Sequence, residues 1–101
     1  FFKLAKDNAP LPRAKQTDLA AWAQTGNADA RQALVLCNIR LAINVARKHQ
    51  RNGIELEELI ATAAGATLDA IRGFDASKGA NFPTVARQWK IARCQEVVKP
   101  R

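Results

Sequence analysis

Ala33-Leu34-Val35-Leu36-Cys37-Asn38-Ile39-Arg40-Leu41-Ala42-Ile43-Asn44-Val45-Ala46-Arg47-Lys48 is the stretch that decides the fold. Ala33, Leu34, Cys37, Leu41 and Val45, with Ala30 upstream, recur every three or four positions. That interval puts them on one side of a 3.6-residue helix. Ile39, Ala42, Ile43 and Ala46 widen the stripe, so this helix is predicted to be central and to run from Asn27 or Ala28 to near Gly53. Its end, Arg47-Lys48-His49-Gln50-Arg51, is basic. Cations there suit the helix C-terminal dipole, and the same cluster suits phosphates.

Helical signals continue on both sides. Downstream, Leu56, Leu59, Ile60, Ala63, Ala64, Thr67, Leu68 and Ile71 form the buried side of a helix from about Glu55 to Gly73. Phe74 to Asn81 is rich in turn formers and reads as a loop. A further helix begins at Phe82 or Pro83 and ends near Val97, with Val85, Gln88, Trp89 and Ala92 on one side and Arg87, Lys90 and Arg93 as a basic ridge beside it. Upstream, Phe1 to Lys6 forms a short helix broken by Pro10 and Pro12. Pro12 then opens a helix to about Thr25, stopped by Gly26, with Leu19, Trp22 and Ala23 toward the core. The fold class is all-α, a compact bundle of about five helices.

The 101 residues suffice for one domain, and 48% apolar residues argue against wholesale disorder. The net charge of +7 points to polyanions. Its distribution is uneven. Asn52 to Ile71 holds no Lys or Arg but has Glu55, Glu57, Glu58 and Asp69. Arg72 to Arg101 holds Arg72, Lys78, Arg87, Lys90, Arg93, Lys99 and Arg101 against Asp75 and Glu96. Two such faces suit two partners of opposite charge, or two solvated surfaces. The glutamates also suit a helix first turn, where negative charge is favoured.

Catalytic patterns are missing. There is one histidine, His49, no Ser/His/Asp set and no Gly-rich phosphate loop, so an enzyme is not expected. Cys37 and Cys94 lie in helical patterns without ligand-spaced partners; they read as reduced thiols of a cytoplasmic protein, with no metal and no cofactor. No run reaches the roughly 20 apolar residues of a membrane span. Met is absent throughout, position 1 included, which leads to the expectation of a longer parent chain. What remains is nucleic acid: a basic helix beside Trp89 and Phe82 offers phosphate contacts and stacking, the latter worth roughly 1–3 kcal/mol per base.

Four segments carry a resemblance. Asn38-Ile39-Arg40-Leu41-Ala42-Ile43-Asn44-Val45-Ala46-Arg47-Lys48 resembles the NLRLV…A+K helix of sigma-70 family factors. Glu58-Leu59-Ile60 followed by Ala70-Ile71-Arg72-Gly73-Phe74-Asp75 is similar to that family's DLIQEGNIGL…AV.KFD. Lys78-Gly79-Ala80-Asn81-Phe82-Pro83-Thr84-Val85-Ala86-Arg87-Gln88-Trp89 is similar to RGYKFSTYATWW. Leu11, Leu19-Ala20 and Gly26-Asn27 resemble the upstream LT.EEE..LA..I..GD. The segments follow in order, without a gap, from Leu11 to Val97.

The resemblance implies a sigma region 2-like helical domain over 28–101, with region 1.2-like helices over 1–27 packed on it. It implies two partners: the largest-subunit coiled coil of core RNA polymerase, and the non-template strand of the minus-ten promoter element, captured without covalent chemistry. An anti-sigma protein is a further candidate partner; a membrane is not. The expected polymerase-binding residues are Glu57, Glu58, Ala61 and Thr62, with Ala61 and Thr62 standing where the family has Gln-Glu. The expected DNA-binding residues are Asn38, Leu41, Phe74, Lys78, Phe82, Arg87, Gln88, Trp89, Lys90 and Arg93. Asn38 and Leu41 match positions lining a flipped-base pocket, Phe74 a loop aromatic near the other pocket, and Trp89 the second Trp at the upstream fork. Phe82 matches a Phe that is largely structural in the family. Ala80 and Val85 replace tyrosines, Gln88 replaces the first Trp, and Ala92 replaces a base-reading Gln.

Two functions are therefore in view: a divergent initiation factor that opens a non-standard promoter, and a sigma-like adaptor or decoy that acts by protein contact. A helix-turn-helix duplex binder fits less well, because no short turn separates two compact helices in the last third.

Overall fold

The computed structural model describes residues 1–51 and 53–99. The ends of the two charge runs and of the second domain, at Asn52 and Arg101, lie outside the described residues. Among the described residues six α-helices follow in order: α1 (Phe2–Asp7), α2 (Arg13–Gln24), α3 (Ala28–Cys37), α4 (Ile39–His49), α5 (Leu56–Gly73) and α6 (Phe82–Val98). A 3-10 turn, Ala76–Lys78, interrupts the loop before α6. The described residues contain no strand.

The expected long central helix is two helices. Asn38 breaks it, with φ −99° and ψ 3°. Its side-chain amide donates to the Leu34 carbonyl at 2.8 Å and to Gln16 Oε1 at 3.2 Å. An Asn amide that competes for helix carbonyls in this way offers the backbone an alternative to continuing straight. The chain bends, and α3 and α4 serve different halves of the core. One cluster gathers Ile39, Ile43 and Val45 of α4 with Leu59, Ile60 and Ala63 of α5 and Cys94 of α6. The other gathers Ala20 and Ala23 of α2, Leu34 and Cys37 of α3, Ala70 and Ile71 of α5, and Phe82 and Ala86 of α6. α5 and α6 supply buried residues to both, and Val35 of α3 also packs against the first.

The second cluster is locked by Phe74 and Phe82, whose rings meet edge to face at 5.6 Å. Thr17 Oγ1 accepts from the Phe82 N–H, tying α2 to the start of α6. Asn81 caps that start by accepting from Thr84 N at 3.2 Å. α1 lies across α4, held by Arg40, which donates from Nε to the Ala5 carbonyl at 2.7 Å.

The buried side of α6 is Phe82, Ala86, Lys90 and Cys94, one residue per turn. Val85, Gln88, Trp89 and Ala92, read as sharing one side, are not its buried side: Gln88 and Ala92 are exposed, and Val85 and Trp89 are half-buried. Trp22, expected in the core, is 60% exposed, and Leu68 is 39% exposed. His49 is half-buried, and its Nδ1 donates to the Val45 carbonyl at 2.9 Å. None of the described helices is long and apolar enough to cross a membrane.

Candidate nucleic-acid and protein interfaces

Two surfaces stand out, on different helices. The first is a groove between α4 and α6. Leu41, Asn44, Val45, Arg47, Lys48 and Arg87 line about 370 Å³ of it. Past Leu41 and Arg87 it continues for about 250 Å³ against Arg13, Asn81, Pro83 and Thr84. Arg13, Arg47, Lys48 and Arg87 supply its charge, and no carboxylate lines it among the described residues. An apolar floor at Leu41 under a rim of cations suits a base with its phosphates. Arg47 also sits over the Phe2 ring, 5.3 Å from its centroid, so α1 orients one cation of the groove.

The second surface is the outer side of α5. Glu58, Ala61, Gly65, Leu68 and Arg72 are all exposed and recur at alternating steps of three and four. They form one straight stripe from acidic through small and apolar to basic. Glu57 is exposed beside it, and Thr62 is half-buried at its edge. Beyond Leu68 the stripe opens into a cleft of about 460 Å³ shared with Gln24 and Arg31.

The DNA-binding residues expected from sequence do not converge on one place. Leu41 and Arg87 are in the groove. Asn38 is not among the groove's lining residues: it is buried, 3% exposed, with its amide engaged by Gln16 and Leu34. Phe74 and Phe82 are core residues. Lys78 is exposed on the 3-10 turn, and Gln88 is exposed on α6. Trp89 is half-buried, with Arg93 over its ring.

Lys90 departs most from expectation. It belongs to no ridge: it is fully buried, and its Nζ donates to Thr67 Oγ1 at 2.6 Å. Burial pushes its pKa down to about 8, against an opposing pull from the nearby Cys37 and Cys94. Both thiols are themselves raised by burial. Lys90 falls on the buried stripe because α6 sets its phase by Phe82, Ala86 and Cys94, and one turn of that stripe is a lysine. Of the supposed ridge, Arg87 is exposed, and Arg93 is half-buried and held by Asp69 and Glu96.

A profile of the family described as Sigma-70 region 2 matches residues 34–98, well over half of the chain. The chain belongs to the sigma-70 family. Among the relatives of this sigma region 2 chain is the RNA polymerase principal sigma factor HrdC of Streptomyces coelicolor, 32% identical over 81 residues, 80% of this chain and 23% of that protein. The RNA polymerase sigma-28 factor of Bacillus thuringiensis subsp. kurstaki is 30% identical over 99 residues, covering 95% of this chain and 40% of that protein. The RNA polymerase sigma-C factor of a Nostoc species is 32% identical over 66 residues, 65% of this chain and 16% of that protein. The chain thus spans less than half the length of each.

Sequence reasoning missed Arg13, Asn44, Asn81 and Thr84 of the groove, and Gly65, Leu68 and Arg72 of the α5 stripe. The basic end of α4 was a visible signal for Arg47 and Lys48. Nothing local marks Arg13, which reaches the groove only because α2 packs beside α6. No group of three metal-ligating side chains occurs among the described residues.

Proposed function

We propose that this sigma domain takes part in transcription initiation in the cytoplasm, docking on core RNA polymerase through α5 and holding the non-template strand of the minus-ten element in the α4–α6 groove. The observation that carries the reading is the groove itself: Leu41 is a floor residue between Arg13, Arg47, Lys48 and Arg87. The family membership supports it. Asn38, buried, fixes the bend that sets α4 at its angle to α6. Phe74 and Phe82 hold the loop. Arg87 belongs to the groove itself, and Lys78, Gln88, Trp89 and Arg93 lie outside its lining, as contacts for the strand beyond the groove. On α5, Glu57, Glu58, Ala61 and Thr62 begin the docking face, and Gly65, Leu68 and Arg72 continue it.

The test is a titration of core polymerase with and without this chain, read by a fluorescent minus-ten non-template oligonucleotide. Glu58→Ala is expected to weaken polymerase recruitment and leave strand affinity alone; Trp89→Ala is expected to do the reverse. Binding to neither partner sinks the reading.

A second reading, an adaptor or decoy for polymerase or an anti-sigma protein, draws on one observation. Lys90 is buried and Arg93 is engaged by carboxylates, so on α6 Arg87 is the cation that faces the groove. A sequence-selective crosslink from Trp89 to a promoter strand excludes it.

A further inference from the structure

Trp89 is not presented bare. One edge of its indole lies against α5, where a β-carbon at Gly73 would stand 3.7 Å from both Cζ2 and Nε1. Arg93, four residues on, holds its guanidinium over the ring, 5.4 Å from the centroid. Two carboxylates hold it there. Arg93 Nε donates to Asp69 Oδ2 at 3.0 Å, and Nη1 donates to Glu96 Oε2 at 3.2 Å. Asp69 is fixed in turn by Arg72, at 2.5 Å. These hydrogen bonds, the one from Arg93 foremost, hold the Asp69 carboxyl below its ordinary range. One side chain of α5 thereby governs what covers an aromatic of α6.

We propose that Arg93 is a latch on Trp89 and that Asp69 is the positioning residue that sets it: a strand phosphate takes the guanidinium from Asp69 and Glu96, and the exchange bares the ring for an unpaired base. The inference rests on the strand-capture reading above. Its chemistry is competition. The planar donor fork of arginine accepts a carboxylate or a phosphate by the same N–H groups. A guanidinium over an indole occupies the face on which a base stacks. The Arg93–Glu96 pair is exposed and weak, and in the Arg93–Asp69 pair the arginine side chain keeps 38% of its surface open, so a phosphate can reach it and compete. The exchange makes base capture conditional on a backbone phosphate, so an isolated base or an apolar ligand meets a covered ring.

The experiment uses this chain in a Trp22→Phe background, which leaves Trp89 as the single indole of the two present. Acrylamide quenching of the free protein is expected to rise in Asp69→Asn and in Arg93→Gln, and to return to the starting value in Asp69→Glu. Affinity for a single-stranded oligonucleotide is expected to rise about two- to fivefold in Asp69→Asn, the equivalent of one weak ion pair. In Arg93→Gln the slope of log affinity against log salt is expected to fall by about 0.7, one phosphate contact. Glu96→Gln, at an exposed site, repeats the Asp69→Asn result at smaller size and serves if the latter does not fold. Unchanged quenching with a native circular dichroism spectrum, or strand affinity that falls in Asp69→Asn, overturns the latch. If Trp89→Ala leaves strand affinity unchanged, Trp89 is no strand contact and the latch is overturned; if the unsubstituted chain binds no single strand at all, it is the strand-capture reading that has failed, and the exchange fails with it.

Discussion

The outer side of α5 and the groove between α4 and α6 are both open to solvent, yet they are built in opposite ways. The α5 stripe has Ala61 and Gly65 at its middle, an exposed Leu68, and charge only at its ends. The groove has cations along its rim and a leucine at its floor. A face of small side chains offers no group that reaches out for a ligand; it gains by close approach of a shape-matched surface. A cationic rim gains by releasing counterions, whatever the shape of the polyanion. Binding at α5 is therefore expected to tolerate salt, and binding at the groove to fall steeply with it. The two faces lie on different helices of one bundle, α5 for the stripe and α4 with α6 for the groove, so a substitution that alters one and spares the other tests the division.

The largest effect is expected from a residue that belongs to neither face. Lys90→Met removes the amine buried against Thr67. The gap between an ordinary lysine at 10.5 and a native pKa of about 8 corresponds to roughly 3 kcal/mol. The sign follows from proton counting: between those two values the unfolded chain binds more protons, so stability rises with pH across that window. Below about pH 8 the folded chain carries the full penalty of a buried amine. Urea denaturation at pH 7 is expected to show Lys90→Met more stable by about 3 kcal/mol, with the advantage shrinking toward pH 10.5. Cys37 and Cys94, raised by burial, act in the opposite direction above pH 9 but are common to both proteins. Strand affinity and its salt slope are expected to stay put. A slope that falls in Lys90→Met makes Lys90 a groove cation after all and breaks the comparison.

Ala61→Arg comes next. The long side chain stands in the middle of the stripe, where an approaching helix must seat. Recruitment to core polymerase is expected to weaken by about 2–4 kcal/mol, the range of a central interface position. Folding stability is expected to stay within about 0.5 kcal/mol, because the site is exposed. Anisotropy of the labelled chain with core polymerase reads the first quantity, urea denaturation the second. Equal loss of strand affinity merges the two faces into one.

Arg87→Gln is the matching change in the groove. Arg87 lines both of its lobes. Strand affinity is expected to drop by about 1 kcal/mol, and the salt slope by about 0.7 for one single-strand phosphate contact. Arg31→Gln, beside the α5 cleft, is the control cation and is expected to leave the slope unchanged.

Much of this was legible from residues in one dimension. Helix type, the loop before α6 and the span of α5 follow from periodicity and from breakers such as Gly73 and Gly79. The stripe's acidic end was visible at Glu57 and Glu58. What escaped was phase and long-range pairing. Asn38 reads as one polar position inside a strong apolar pattern; at the bend its amide bonds the Leu34 carbonyl and Gln16, the latter twenty-two positions away and outside any local window. Lys90 reads as surface because lysine is rarely buried whole. Its burial depends on Thr67 of another helix. Trp22 reads as core by type, yet its side of α2 meets no other helix, and it remains exposed. Arg13 and Arg93 gain their roles from neighbours supplied by packing, which no local window contains.

Gly65→Ala gives the smallest expected effect and separates the faces most sharply. Gly65 lies in the interior of α5, and a β-carbon there meets nothing within 4 Å. In an exposed helix interior, alanine is favoured over glycine by roughly 0.8–1.0 kcal/mol, because glycine loses more backbone freedom on folding. The variant is therefore expected to be more stable by about that amount in urea denaturation. Nothing within this chain explains why a residue that weakens its own helix stands at the centre of the stripe. A partner backbone seated closely against it does: small residues let helices approach where a methyl holds them apart. Polymerase affinity is then expected to fall by up to about 1 kcal/mol while stability rises, and strand affinity to stay constant. Opposite signs from one added methyl assign Gly65 to docking. A gain in stability with unchanged polymerase affinity leaves Leu68 and the charged ends as the contact and moves the partner off the middle of α5.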